Sequence, residues 1–221
     1  MRYHMSFFVL FPALLFPALL LAQPGTPLPQ SSPGTLLEKL QKAWDATLTY
    51  EANFRQVIFD KRLGTREESH GVLYVEKPSH LRWESKTDKS IQIMNGKELY
   101  VITHNKRRGT RVVDIYTDAG KAVGSRPLNF LSGKVKFKEI YHVQLLSETP
   151  EMAEMKLTPK EDAAETLIAE IDKVSYLLRS LTSETVDSRV KTEFTGTKTN
   201  AKFDKKLFIF KPTSADVIHK N

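Results

Sequence analysis

Residues 72–83, VLYVEKPSHLRW, are followed closely by residues 91–100, IQIMNGKELY. The first apolar run breaks at Lys77-Pro78, where proline has no N–H to give to a ladder. A second run enters through Arg82-Trp83, and Asn95-Gly96 then separates two more. Asn-Gly between apolar runs signals a hairpin, because a type I′ turn needs positive φ at both central positions. This order of parts predicts a curved antiparallel sheet with one apolar face.

The same period extends in both directions from that stretch. In residues 50–58 Tyr50, Ala52, Phe54 and Ile58 share one side, while Glu51, Asn53 and Arg55 take the other. Further strands are expected at 68–76, 80–86, 90–95, 98–104, 110–116, 139–147, 152–159, 166–173, 176–186, 189–197 and 206–211. Upstream the spacing changes: Leu37, Leu40, Trp44 and Leu48 recur three and four apart, which is one face of a helix. Thr35 and Glu38 have the spacing of a capping box, so this helix is expected to begin at Leu36. Residues 118–133, DAGKAVGSRPLNFLSG, interrupt the strands with a short apolar helix or loop between Pro127 and Gly133. The expected fold is mainly β (α+β), with two helical pieces covering one face of the sheet.

Residues 1–22 carry Arg2, an apolar run from Phe7 to Leu21, and Ala22 before a Gln-Pro-Gly stretch, the pattern of a cleaved secretory signal peptide. The run is shorter than the ~20 residues of a spanning helix, and Pro12 and Pro17 interrupt it. Residues 23–34, rich in Pro, Gly and Ser, read as a flexible leader. Residues 35–221 then form one domain, expected to be a monomer. The chain has no cysteine, which excludes disulfides, thiolate chemistry and a lipid-modified N-terminal cysteine. The formal net charge of +7 falls to +6 once Arg2 leaves with the signal. Such a surplus favours anionic membranes or acidic partners. Nucleic acid is not expected, because the basic residues are interleaved with acids. The one basic cluster, Lys106-Arg107-Arg108 with Arg111, reads as a solvated hairpin tip.

Nothing in the chain points to catalysis. His70, His80, His104, His142 and His219 are scattered, with none at the i, i+4 spacing of a helical metal site. G-x-S-x-G, HExxH and phosphate-loop patterns are missing, and Glu67-Glu68 reads as a solvated hairpin end. No cofactor or metal is expected, and an enzyme is the minority reading.

The amphipathic helix, then TYEANFRQ, GVLYVEKPSHLRW, IQIMNGKELYV, RPLNFLSG and KLFIFKP, in that order, resemble the periplasmic outer-membrane lipoprotein carrier family, LolA. The resemblance implies an incomplete, strongly curved antiparallel β-barrel whose apolar concave face is covered by helices. It also implies a periplasmic carrier that takes acylated lipoproteins from an inner-membrane ABC lipoprotein-releasing transporter to an outer-membrane lipoprotein acceptor. On that basis Phe54, Leu81, Trp83, Ile91, Ile93, Leu99, Val101, Leu128, Phe130 and Leu131 are candidates for lining the lipid cavity. Met94, Met152 and Met155 would suit an adaptable wall. Family members carry an arginine before the proline of this segment, tying barrel to lid. Lys77 stands there in this chain, and cannot make the bidentate bonds of a guanidinium. Lys77 and Arg82 are therefore both candidates for the latch that controls release. After Phe210-Lys211-Pro212 the chain ends within nine residues, where some members continue with an extra strand or helix. Two other readings stay open: a periplasmic module that senses lipid or lipoprotein, and a carrier of another amphiphile such as a glycolipid or phospholipid. A sensor is expected to need a second domain, for which 199 residues leave little room.

Overall fold

The computed structural model describes residues 31–105, 107–117, 130–131, 136–161 and 164–221. The expected signal peptide, most of the leader, Lys106 and the cavity candidate Leu128 lie outside the described residues.

Helix α1 spans Pro33–Ala46. Its start lies three residues before the position expected from Thr35 and Glu38. Ser32 is the cap, its side chain accepting from the Thr35 N–H at 3.1 Å, and Pro33 occupies the first turn, where its missing N–H costs nothing. Glu38 is thereby freed to pair with Lys138 at 2.9 Å. Leu36, Leu37, Leu40 and Trp44 form the buried stripe. Leu48, expected on the same stripe, lies beyond the helix end and is 66% exposed.

Among the described residues twelve strands follow: β1 Thr49–Asp60, β2 Thr65–Glu76, β3 His80–Ser85, β4 Ile91–Asn95, β5 Leu99–Asn105, β6 Thr110–Tyr116, β7 Tyr141–Glu148, β8 Met152–Pro159, β9 Thr166–Asp172, β10 Leu178–Glu184, β11 Ser188–Thr199 and β12 Asp216–Lys220. A one-turn helix, α2, spans Phe137–Ile140. All strands lie in one sheet ordered β12-β6-β5-β4-β3-β2-β1-β11-β10-β9-β8-β7, so hairpin neighbours in sequence are neighbours in space. The pairs are antiparallel except β12, which lies parallel to β6. A bulge between Glu51 and Asn53 opposite β11 bends the longest strand pair.

The sheet has to curl. Ser31, at the start of α1, bonds Glu148 at the end of β7, and Trp44, near its end, bonds Lys77 after β2. In a flat sheet the six steps from β2 to β7 would span ~28 Å. A 14-residue helix is only ~21 Å long. The two contacts are made together because the sheet wraps beneath the helix as an incomplete, strongly curved antiparallel barrel.

The Asn95-Gly96 hairpin forms with a different turn from the one expected. Gly96 alone has positive φ, and the Asn95 N–H donates to the Glu98 carbonyl at 3.2 Å. The central pair is therefore Gly96-Lys97, with glycine first, which suits the II′ type. Asn95 remains in β4 and accepts from the Glu98 N–H through its side chain.

The C-terminal residues depart further from expectation. Residues 206–211 are not a strand: a 3-10 helix spans Lys205–Phe208, capped by Asp204. The segment runs as a strap over the outer face of the sheet, with Phe203 edge-on to Tyr74, Phe208 against His80 and Phe210 stacked on Tyr100. Beyond it, where the sequence gives no expectation of an extra strand, Asp216–Lys220 form β12. Arg111, grouped by sequence with the basic hairpin tip, turns from that tip to Asp216 at 2.6 Å. The Asp216 side chain is 1% exposed, and the adjacent guanidinium holds its carboxyl well below the usual carboxylate range.

Candidate functional site

Strand alternation divides the cavity candidates. On the inner face, under α1, one cluster contains Phe54, Leu81, Leu99, Phe130 and Leu131, with Trp83 and Val101 packed against it. Phe54 and Trp83 meet with ring centroids 4.5 Å apart. Met94 and Met155 belong to the same cluster and are fully buried. Met152, one step out of phase with Ala153 and Met155, is half-buried and not part of it.

Ile91 and Ile93 are placed elsewhere. Leu81 pairs with Met94 and Arg82 with Ile93, so the side chain of Ile93 leaves the sheet on the face opposite to Leu81. Ile91 and Ile93 join Ile102, Val113, Ile115, Tyr100 and Phe210 in a second cluster beneath the strap. Their assignment to the lid-covered cavity is therefore revised to the outer face. In β4 the even positions carry Gln92 and Met94 and the odd ones Ile91, Ile93 and Asn95, and the two isoleucines make hydropathy point to the wrong side.

Helix α1 is held along its whole length. At its start Ser31 donates through N–H and hydroxyl to Glu148, both at 2.8 Å. Along its flank Lys138 reaches Glu38, Lys136 reaches Asp45 at 2.7 Å, and the Phe137 N–H donates to Gln41 Oε1 at 2.7 Å. Lys39 donates to the Tyr176 hydroxyl at 2.9 Å. At its end the Lys77 ammonium donates to the Trp44 carbonyl and sits 4.9 Å from the centroid of the Trp44 ring. A cation at a helix C-terminus meets the last carbonyls and the negative end of the helix dipole, and here it shares the Trp44 carbonyl with the Thr47 N–H. Burial pushes the Lys77 ammonium down from its ordinary range, and Asp45 acts against that. The following residues are tied as well, since the Lys77 N–H donates to Leu48 and Asn200 Oδ1 accepts from the Leu48 N–H. Lys136, Lys138 and Asn200 carry no sequence signal, because their partners lie 91–152 residues away.

Arg82, the other latch candidate, is directed away from α1. It bonds Glu84 at 2.8 Å and the Leu207 carbonyl in the strap. Lys77→Ala is accordingly expected to weaken lid closure by about 1.5 kcal/mol, the scale of a charged hydrogen bond. Amides of 33–46 would then exchange about tenfold faster by hydrogen-exchange mass spectrometry, while those of β8 and β9 keep their rates. Unchanged exchange across α1 in this variant would remove Lys77 from the latch.

Trp44, 1% exposed, meets Tyr50 edge-on at 5.3 Å. Its indole N–H is buried without a partner among the described residues. A buried unpaired donor costs about 1–3 kcal/mol, so the packing of α1 on the sheet keeps one unfavourable feature.

The family described as "Outer membrane lipoprotein carrier protein LolA" matches residues 45–211. An "Outer-membrane lipoprotein carrier protein" of Coxiella burnetii is 30% identical over 170 residues, covering 75% of this chain and 77% of that one. A protein of the same description from Methylococcus capsulatus is 25% identical over 176 residues, covering 79% and 82%. An uncharacterized conserved protein of Thermus thermophilus shares the fold with a TM-score of 0.54 at 11% identity, covering 86% of this chain and all of that one.

Proposed function

Because the chain belongs to the outer-membrane lipoprotein carrier family LolA, we propose that it takes the acyl chains of lipoproteins between α1 and the inner face of the sheet. It shuttles them through the periplasm from an inner-membrane ABC transporter to an outer-membrane acceptor. Export uses the signal peptide at residues 1–22, and residues 35–221 act as one monomeric domain. The protein is a carrier, not an enzyme.

The observation that carries this reading is the construction of the lid. Four large apolar side chains of α1 lie on an apolar sheet face, and the two ion pairs along its rim, Lys136–Asp45 and Lys138–Glu38, are exposed. Exposed pairs contribute about 0–1 kcal/mol each, so these two lock little and the Lys77 contact is the stronger hold. An acyl chain gains ~0.8 kcal/mol per CH₂ on leaving water, on the order of 10 kcal/mol for a dozen carbons. Cargo of that chemistry can displace Leu36, Leu37, Leu40 and Trp44 from the sheet, because it replaces one apolar contact by another. Met94 and Met155 give the wall side chains that re-pack easily. Release follows when α1 returns and Lys77 regains the Trp44 carbonyl.

The test uses inner-membrane vesicles carrying a triacylated lipoprotein and the cognate transporter. The purified mature protein is expected to release the lipoprotein, in an ATP-dependent way, as a soluble one-to-one complex. Recovery of a glycolipid or phospholipid in place of lipoprotein would overturn the lipoprotein assignment in favour of another amphiphile.

A further inference from the structure

On the outer face of the sheet, away from α1, the strap does not fill the space it covers. A cavity of about 330 Å³ remains between residues 204–211 and strands β3–β6. This is within the usual range of small-molecule sites. Its floor is aliphatic, formed by Ile91, Ile93 and Ile102, and Phe210 stands at its wall.

The charges around the cavity are unequal. Arg82, Arg111, Lys206 and Lys211 line it against one carboxylate, Asp204. Both guanidiniums are already used: Arg82 on Glu84 and the Leu207 carbonyl, Arg111 on Asp216 and the Lys211 carbonyl. Asp204 is occupied with the Lys206 N–H, which it accepts as the helix cap. Lys206 and Lys211 are exposed, and their ammonium groups have no ion-pair partner among the described residues. Strands β3, β4 and β5 are paired on both sides, so no backbone edge is open there for an extended peptide. An apolar floor beneath two unspent cations fits one alkyl chain ending in an anion.

We propose that the outer cavity is a second amphiphile site, which takes a free fatty acid with its chain over Ile91, Ile93 and Ile102 and its carboxylate at Lys206 and Lys211. The site is separate from the lid-covered face, because Met94 and Ile93 leave β4 on opposite sides. It does not depend on the lipoprotein reading. A carrier that failed in vesicle release would still bind the acid here, and a carrier lacking this site would still release lipoprotein.

Dodecanoate is the probe, titrated calorimetrically into the mature protein at low ionic strength. Lys206→Glu combined with Lys211→Glu is expected to weaken binding at least tenfold, and Ile93→Phe, which fills the cavity but keeps the charges, to weaken it similarly. The charge-reversal pair lies on exposed positions, so it decides the matter even if Ile93→Phe does not fold. Equal affinity of wild type and the charge-reversed protein would overturn the second site and place the acid elsewhere. Absence of dodecanoate binding to the wild type would overturn it too.

Discussion

Trp44→Ala is expected to uncouple α1 from the barrel while the sheet stays folded. The side chain is 1% exposed, packs edge-on to Tyr50 and carries the Lys77 ammonium over its ring. Truncating a buried tryptophan costs about 3–5 kcal/mol through lost burial and the cavity left behind. Relief of its unpaired indole N–H returns part of this, leaving about 3 kcal/mol. Because most of that loss falls on one helix, α1 amides should exchange about two orders of magnitude faster, with β8–β10 amides changed far less. Equal loss of protection in helix and sheet would mean that α1 is ordinary core and opens only with the whole molecule. Preserved protection in α1 would contradict the packing itself.

Gly71→Ala should be as severe for a different reason. Gly71 lies in β2 opposite Phe54 of β1, and the Phe54 ring lies across it towards Trp83. A Cβ there would stand 1.9 Å from the Glu84 carbonyl oxygen of β3 and 2.8 Å from two ring carbons of Phe54. Neither can yield without cost: the carbonyl is part of the neighbouring strand, and the ring is held in the inner cluster. Overpacking of this kind costs about 3 kcal/mol. That corresponds to a fall of about 6–12 °C in Tm for a chain of this size. A thermal midpoint within two degrees of wild type would show that β2 and β3 can separate freely at this point. Phe54→Ala costs stability by itself but removes the ring clash and not the carbonyl clash, so in a double-mutant cycle the cost of Gly71→Ala should shrink only in part.

Part of this is legible in the chain alone. Tyr50, Ala52 and Phe54 alternate cleanly with charged and amide residues, so the period alone orients β1. The stripe Leu37, Leu40, Trp44 requires an apolar surface beneath a helix, and the order of segments leads to the LolA family. Other features have no local signal. The proline that sets the start of α1 sits within a Pro-rich leader, and a capping box three residues later looks equally good. β12 is hidden because Asp216–Lys220 is a short run and its partner β6 lies about a hundred residues upstream. A parallel pairing of that separation leaves no turn signature in the sequence. Gly71 looks like any strand glycine until Phe54 and Glu84 are placed beside it.

The sheet, its alternation, the amphipathic lid and the absence of thiol chemistry are all written in the chain, because each follows from the spacing or presence of residue types along it. Which side each apolar residue serves is settled only by the pairing of strands in space. In β4 two of the three odd positions are apolar and one of the two even positions is as well, so alternation sets a phase but not a direction. The pairing of Leu81 with Met94 sets the direction. It sends Met94 to the lid and Ile93 to the strap, and it leaves Lys77 beside the helix end while Arg82 faces the other way.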